Sequence, residues 1–384
     1  MTFGPIPLSI YVHLPWCLKK CPYCDFNSHE RADGLPEAAY LAALTSDLEQ
    51  ALPSIWGRSV VSVFIGGGTP NLFSPDAIAS LLETIRARVR LLPGAEITME
   101  ANPGAAQRGQ FEALRQAGVT RLSLGVQSFH DESLKAIGRV HDGASARQAA
   151  EAAVAVFERC NLDLMYGLPG QDLAMAEADL RAALALDPGH LSRYQLTLEP
   201  NTLFALRPPA LPPEDLIWEM QTEGESLLAE AGYARYEVSA HARPGHEAQH
   251  NLNYWEFGDY LGIGAGAHSK LTQAAEGVVR QTVVRRPEDF MAKVVGGTHR
   301  RTEAVPAESL PFEFMLNALR LVEGVPVMHY PCRTGQPVEG LLAQVGQAQT
   351  DGLMSRQPGR FAPTPHGLNF LNDLQARFLP DAPK

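Results

Sequence analysis

The feature that most constrains the fold is a regular alternation through the first two hundred residues. Short apolar, β-branched runs at 9–14, 59–65, 96–100, 121–127, 161–166 and 192–198 are separated by longer stretches. Four of these, 35–55, 76–89, 145–157 and 173–186, carry helical periodicity. A strand that returns through a helix to its neighbour must run parallel to it, with one preferred hand. Six such units predict an α/β fold, a parallel sheet curled into a partial (β/α)6 barrel over residues 1–240. Another helical stretch, 213–231, ends that region, and irregular polar sequence follows at 242–253.

The remainder divides differently. Residues 241–298 read as a connecting segment, and a domain change is expected near Thr298. Beyond it, helical patterns at 310–322, 338–349 and 367–378 flank a turn-rich, two-strand pattern at 353–363. That order predicts a mostly helical, winged-helix-like C-terminal domain over 299–384. Such modules often bind DNA, but from Arg301 to Lys384 there are seven Lys and Arg against eight Asp and Glu. With no basic face, nucleic acid is not the expected partner.

Composition supports this division. A chain of 384 residues, 45% apolar and 20% charged, can bury a core in each of two or three domains. Its 32 basic and 43 acidic side chains leave a net charge of −11, which disfavours binding to phosphate backbones. No apolar run approaches the ~20 residues of a membrane-spanning helix. The N-terminus has neither a basic leader nor a small-residue cleavage site, so no signal peptide is expected.

In a parallel barrel, functional groups gather where the strand C-terminal ends open into one mouth. The unusual motifs fall there: Cys17-Leu-Lys-Lys-Cys21-Pro-Tyr-Cys24 after the first strand, Gly66-Gly67-Gly68-Thr69-Pro70 after the second, Glu100 at the end of the third. The fourth ends at Gln127-Ser128, the fifth carries Asp163, and the sixth leads into Glu199-Pro-Asn201. Five cysteines with one tight cluster of three do not form a disulfide framework. They point to a metal or cluster site in a reducing compartment, with the cytoplasm as the default. Three thiolates can hold three irons of a cubane and leave the fourth open. The alternative is structural zinc, completed by His13, His29 or Asp25. Cys160 and Cys332 read as small core residues.

The triple glycine lets a ligand approach the backbone, or simply makes a tight turn. It lacks the Gly-Lys-Ser/Thr continuation of a nucleotide loop, and Gly262-Ile-Gly264-Ala-Gly266 only superficially matches a dinucleotide fingerprint. In His250-Asn251-Leu252-Asn253-Tyr254-Trp255 the imidazole is a candidate heme ligand, and the aromatic pair could cover a macrocycle. The other reading is a loop histidine bonded to backbone, with both aromatics in the core.

Taken together, CxxxCxxC, GGGTP and Glu100 resemble the radical S-adenosylmethionine (SAM) superfamily. The strings YVHLPWCLKKCPYCDF, LSLGVQSF, DLMYGLPGQ and HNLNYW are similar to the HemW-type heme chaperones, relatives of oxygen-independent coproporphyrinogen III oxidase. The resemblance runs over almost the whole chain and implies a radical-SAM barrel. It implies a [4Fe-4S] cluster on Cys17, Cys21 and Cys24 whose open iron chelates SAM. SAM contacts would then be Tyr11, Gly67, Gly68, Thr69, Glu100, Gln127, Arg139 and Asp163, with Tyr23 packing on adenine. Gly67, Gly68 and Glu100 would meet the amino group, Arg139 the carboxylate and Asp163 the ribose hydroxyls. Heme binding is implied near His250, about fifty residues after the sixth strand, which need not belong to the SAM cradle.

True coproporphyrinogen oxidases carry a further cysteine two residues after the third, where this chain has Phe26. The resemblance therefore implies a heme chaperone that delivers heme to acceptor proteins at the cytoplasmic membrane face. The alternative is radical-mediated oxidative decarboxylation of coproporphyrinogen III in porphyrin biosynthesis. A homodimer is compatible with the sequence, which does not fix the oligomeric state.

Overall fold

The structure, a computed structural model, describes residues 4–31, 34–105 and 108–380. Six parallel strands form its centre: β1 (Leu8–Leu14), β2 (Ser59–Gly67), β3 (Arg90–Ala101), β4 (Arg121–Gln127), β5 (Arg159–Tyr166) and β6 (Gly189–Gln195). Five helices follow the first five crossovers or flank them: α1 (Glu37–Ile55), α2 (Pro75–Arg88), α3 (Arg108–Ala117), α4 (Gly143–Val156) and α5 (Leu173–Leu186). Their starts are set locally. Ser74, Asp142 and Asp172 cap α2, α4 and α5 by accepting from the amides of Ala77, Ser145 and Met175. The long α6 (Glu214–Glu230) packs beside α5.

Side chains alternate across each strand. Leu8, Ile10 and Val12 of β1, Leu122 and Leu124 of β4, and Leu162 and Leu164 of β5 join the apolar layer under the helices. The other face is polar. Arg121, Ser123 and Gln127 of β4, Asn161 and Asp163 of β5, and His190 and Ser192 of β6 line an internal cavity. Barrel interiors are ordinarily filled by branched apolar side chains. Here that face is built to hold something polar.

The sheet is wider than six strands. Two more, β7 (Ala234–Glu237) and β8 (Ala240–Ala242), add antiparallel beyond β6. The segment 241–298, expected to connect the two domains and carry HNLNYW, supplies helix α7 (Gln249–Trp255) and strand β9 (Asp259–Ile263), which pairs parallel with β1. β10 (His268–Gln273), β11 (Gly277–Val283) and β12 (Arg300–Ala304) continue antiparallel. The full order is β12-β11-β10-β9-β1-β2-β3-β4-β5-β6-β8-β7. The boundary expected near Thr298 therefore falls after Ala304. Short strands carrying Asp259, Lys270 and Arg300 do not read as core, because those charges are neutralised in buried networks. Asp259 meets Lys270 at 2.8 Å and Arg58 at 2.7 Å, and Asp47 meets Arg300 at 2.6 Å.

The C-terminal part has its own core, around Phe314, Met315, Tyr330, Leu341, Phe361 and Phe378. The helix expected at 310–322 ends at Ala318 (α8, Leu310–Ala318), because Val322 donates its amide to Tyr236. A helix with Pro331 inside it, α9 (His329–Thr334), carries no helical signature in the sequence. α10 spans Glu339–Thr350. The expected two-strand segment is reduced to a Met354–Pro363 bridge, and Arg360–Phe361 pairs instead with Val325–Pro326. The last helix is broken into Pro365–Asn369 and Leu371–Ala376. Among the described residues, no helix is long and apolar enough to cross a membrane.

Candidate functional site

The strand C-terminal ends open into a cavity of about 500 Å³. Twelve of the thirteen residues singled out in the sequence line it: Cys17, Cys21, Tyr23, Cys24, Gly67, Gly68, Thr69, Glu100, Gln127, Arg139, Asp163 and His250. Tyr11 does not. Its hydroxyl is directed at His13 Nδ1 (2.7 Å), one step outside the wall.

The cysteine loop forms the upper wall. All three thiols are free and half-buried, and burial raises the pKa values of Cys17 and Cys24. The imidazoles considered as completing zinc ligands are engaged elsewhere. His13 Nε2 bonds the Asn27 carbonyl at 2.9 Å, and His29 Nε2 the Arg285 carbonyl at 3.2 Å. Among the described residues, no three His, Cys, Asp or Glu side chains are grouped to grip a single metal ion. A cluster asks for something else, since each thiolate takes its own iron.

The triple glycine is required by close approach. A Cβ at Gly68 would lie 2.4 Å from the Trp16 carbonyl oxygen. At Gly67, with φ of 121°, it would strike the His13 ring at 2.7 Å. The Gly67 amide donates to Glu100 Oε2 at 3.0 Å, holding the carboxylate at the cavity wall. Burial pushes Glu100 up to about 7, with the nearby Asp163 adding to the rise. A carboxylate so placed gains from an amino group that donates to it.

Arg139 enters through a gap at Gly125, whose carbonyl it bonds at 2.7 Å, and its other arm reaches Cys21 Sγ at 3.7 Å. A Cβ at Gly125 would stand 3.4 Å from this guanidinium. Arg139 Nε is buried without a hydrogen-bond partner among the described residues, a donor left over for an anion. Gln127, beside it, holds a positive φ of 70° where β4 bulges against β5. Strain at a cavity wall is typical of a functional position.

Asp163 heads a chain of hydrogen bonds that the sequence does not reveal. Asn161 Nδ2 donates to its Oδ1 at 2.8 Å, and His190 Nδ1 donates to Asn161 Oδ1 at 2.6 Å. Tyr236 then donates to His190 Nε2 at 2.9 Å, and Asn251 Nδ2 donates to the Tyr236 hydroxyl at 3.1 Å. Burial lifts Asp163 to about 6 and holds His190 well below its ordinary value, so the histidine is neutral.

The HNLNYW motif is thus part of the same construction. It forms α7, which closes the floor of the barrel. His250 is 6% exposed, stacked on Phe64 with centroids 4.3 Å apart, and its Nδ1 lies 3.5 Å from both Glu96 and Thr98. Burial lowers its pKa. Glu96 also takes Arg159 at 3.0 Å and the Gln249 amide at 2.9 Å. Burial alone would raise Glu96, but the His250 hydrogen bond and the charges of Arg121 and Arg159 bring it to about 2. Asn253 bonds Ser9 at 2.8 Å, while Leu252 and Trp255 pack into the C-terminal core. The motif joins barrel to C-terminal domain, and His250 faces the cavity with its ring held between Phe64 and the Glu96 carboxylate.

Comparison with known proteins agrees with this geometry. Residues 11–183 match the radical SAM superfamily, and residues 305–370 match the HemN C-terminal domain. The heme chaperone HemW of Escherichia coli K12 is 47% identical over 374 residues, covering 97% of this chain and 98% of the relative. The heme chaperone HemW of Haemophilus influenzae is 44% identical over 378 residues, with the same coverage. A bovine mitochondrial protein, radical S-adenosyl methionine domain-containing protein 1, is 38% identical over 360 residues, covering 90% of this chain and 81% of its own. Among solved structures, the radical SAM enzyme coproporphyrinogen III oxidase (HemN) of Escherichia coli superposes with a TM-score of 0.81 at 23% identity. It covers 97% of this chain and 90% of the neighbour. At that identity the likeness establishes the fold.

Proposed function

The chain belongs to the radical SAM superfamily and, within it, to the heme chaperone HemW family; from that membership we propose a heme chaperone that carries a [4Fe-4S] cluster and SAM and hands heme to acceptor proteins. The observation that carries the proposal is the convergence of twelve motif residues on one cavity, in a chain matching those relatives over almost its whole length.

The residues present fit the cofactors. Cys17, Cys21 and Cys24 would hold the cluster, which when bound supplies one-electron chemistry. Glu100, fixed by the Gly67 amide, would accept from the SAM amino group. Arg139, with its unpartnered Nε, would donate to the SAM carboxylate, and Asp163 would accept from ribose hydroxyls. Thr69 and Gln127 complete that wall, and Tyr23, whose ring lies 6.4 Å from that of Phe204, offers a face to adenine. Tyr11 acts through His13, on which Gly67 closes. Five free cysteines suit a reducing compartment, and we place the protein in the cytoplasm.

The second reading is oxidative decarboxylation of coproporphyrinogen III. Only the HemN fold favours it, while Phe26 stands where those enzymes are expected to have cysteine. Anaerobic incubation with reductant, SAM and coproporphyrinogen III separates the two. A chaperone gives no turnover, and protoporphyrinogen accumulating over many cycles would refute it. Titration of the reconstituted protein with heme, followed in the visible, should give a saturable spectrum.

A further inference from the structure

We infer that Asn161, His190 and Tyr236 are positioning residues, which present the Asp163 carboxylate to the two neighbouring hydroxyls of the SAM ribose. The inference rests on the SAM-binding reading of the cavity and names what makes Asp163 selective there. The strand register sets the pieces side by side. Ser123, Asn161 and His190 lie in one row across β4, β5 and β6, and Asp163 pairs with Ser192 one row nearer the mouth.

The direction of each proton in the chain is fixed from its far end. The Ala248 amide, at the start of α7, can only donate, and it meets the Tyr236 hydroxyl oxygen at 3.4 Å. Asn251 Nδ2 donates to the same oxygen at 3.1 Å. Burial pushes the Tyr236 hydroxyl up to about 12, so its proton stays and is donated to His190 Nε2 at 2.9 Å. His190 is 1% exposed and held neutral by burial, so its single proton sits on Nδ1. Nδ1 then donates to Asn161 Oδ1 at 2.6 Å, which turns the amide nitrogen the other way. That nitrogen donates to Asp163 Oδ1 and to Ser123 Oγ, both at 2.8 Å. Ser123, its oxygen accepting, donates in turn to Asp163 Oδ2 at 3.5 Å.

Asn161 is the junction. Its Oδ1 also accepts from Ser192 at 3.1 Å, so this 2% exposed side chain makes all four of its hydrogen bonds inside the protein. The capacity left for a ligand is concentrated at Asp163, which receives one donor on each oxygen and lines the cavity. Held in one plane with an acceptor direction free on each oxygen, the carboxylate fits two adjacent hydroxyls that both donate. The other His190 tautomer would turn the Asn161 amide over and set its carbonyl against Asp163, acceptor against acceptor. Tyr236 excludes that arrangement.

The test uses full-length, cluster-loaded protein and anaerobic calorimetry with SAM and its 2′,3′-dideoxyribose analogue. The unmodified protein should prefer SAM by about tenfold or more, and Asp163→Asn should erase that preference. Tyr236→Phe, which keeps the ring, and His190→Leu should each cut the preference about threefold or more, weakening SAM and sparing the analogue. His190→Asn puts an amide nitrogen where Nδ1 stood and should restore the preference, which a space-filling role alone would not allow. In Asp163→Asn protein, His190→Leu should have no further effect on the ratio. If His190→Leu fails to load its cluster, Tyr236→Phe carries the test. An unaltered preference in these variants, or an equal loss for both ligands, would overturn the proposal. If Asp163→Asn keeps the full preference, the assignment of Asp163 to the ribose fails instead. If the unmodified protein binds no SAM, the reading of the cavity itself fails.

Discussion

Glu100→Gln offers the sharpest test of the SAM cradle, because it changes charge without changing shape. The glutamine carbonyl can still accept the Gly67 amide that now bonds Oε2 at 3.0 Å, so the loop should stay in place. What is lost is the charge-assisted bond to the ligand's amino group, worth ~1.5–3 kcal/mol, or roughly 10- to 150-fold in Kd. The pH dependence is the more specific signature. Burial raises Glu100 from its ordinary 4.5 to about 7, so below that pH the site is largely neutral before ligand arrives. Binding must then release a proton, and the apparent Kd of the unmodified protein should rise about tenfold from pH 8 to pH 6. The variant should lack this component, which also corrects for titration of the ligand's own amino group. The sign reverses for folding. Between 4.5 and about 7 the native carboxyl holds more protons than the unfolded one, so ligand-free stability falls as pH rises through that window. Glu100→Gln should therefore stabilise the ligand-free protein at pH 8 while weakening SAM. The assay is anaerobic calorimetry on cluster-loaded protein at three pH values. Identical pH profiles in both proteins would refute the assignment.

Other outcomes follow from the same geometry. Serine at Cys17, Cys21 or Cys24 should abolish the four-iron cluster, whereas Cys160→Ser and Cys332→Ser should keep iron and sulfide content, checked by metal and sulfide analysis. His250→Ala should cost ~2–4 kcal/mol of stability, since it deletes a buried ring stacked on Phe64; denaturant melts read the loss. Glu96 is held near 2 against its ordinary 4.5, so it contributes stability above that value that is lost as pH falls toward 2. Glu96→Gln should flatten this acid limb, with a loss at neutral pH on the order of 3 kcal/mol by urea melts. Gly68→Ala should prevent cluster assembly or folding, because its Cβ would meet the Trp16 carbonyl at 2.4 Å; soluble, cluster-loaded protein would count against that packing.

Much of this was legible from residues alone, for identifiable reasons. The first five barrel strands alternate with helices of full length, and their ends carry motifs whose chemistry is local: three thiols, three glycines, one acid. The sixth strand runs three residues earlier than its apolar run predicts, because the sheet begins at Gly189, with a φ of 80°, and ends before Leu196 and Leu198. The features without a sequence signal are polar and long-range. Asn161, His190 and Tyr236 are ordinary in sequence and become a relay only when β5, β6 and β7 stand side by side. Strands β9 to β12 carry no strand signature because their buried charges are satisfied by partners hundreds of residues away, such as Asp47 with Arg300. In HNLNYW a histidine beside two aromatics suits a cofactor as well as a core, and periodicity cannot separate the two.

That motif also explains how the parts of the molecule are made to agree. The barrel interior carries charged and amide side chains from floor to mouth, which is costly unless each group has a partner. At the floor the partners come from α7: His250 and the Gln249 amide for Glu96, Asn253 for Ser9, and Asn251 for the relay that ends on Asp163. The opposite face of the same helix, through Leu252 and Trp255, is part of the C-terminal core, where Arg320 lies over the indole at 4.3 Å. A shift of the C-terminal domain would have to move α7, and moving α7 would break bonds that orient the carboxylate proposed for the ribose. One seven-residue helix thus touches both the C-terminal core and the hydrogen-bond chain that ends on Asp163. Because such coupling is reciprocal, whatever engages the C-terminal domain should alter the affinity of the cradle for SAM by the same factor that SAM alters its own binding.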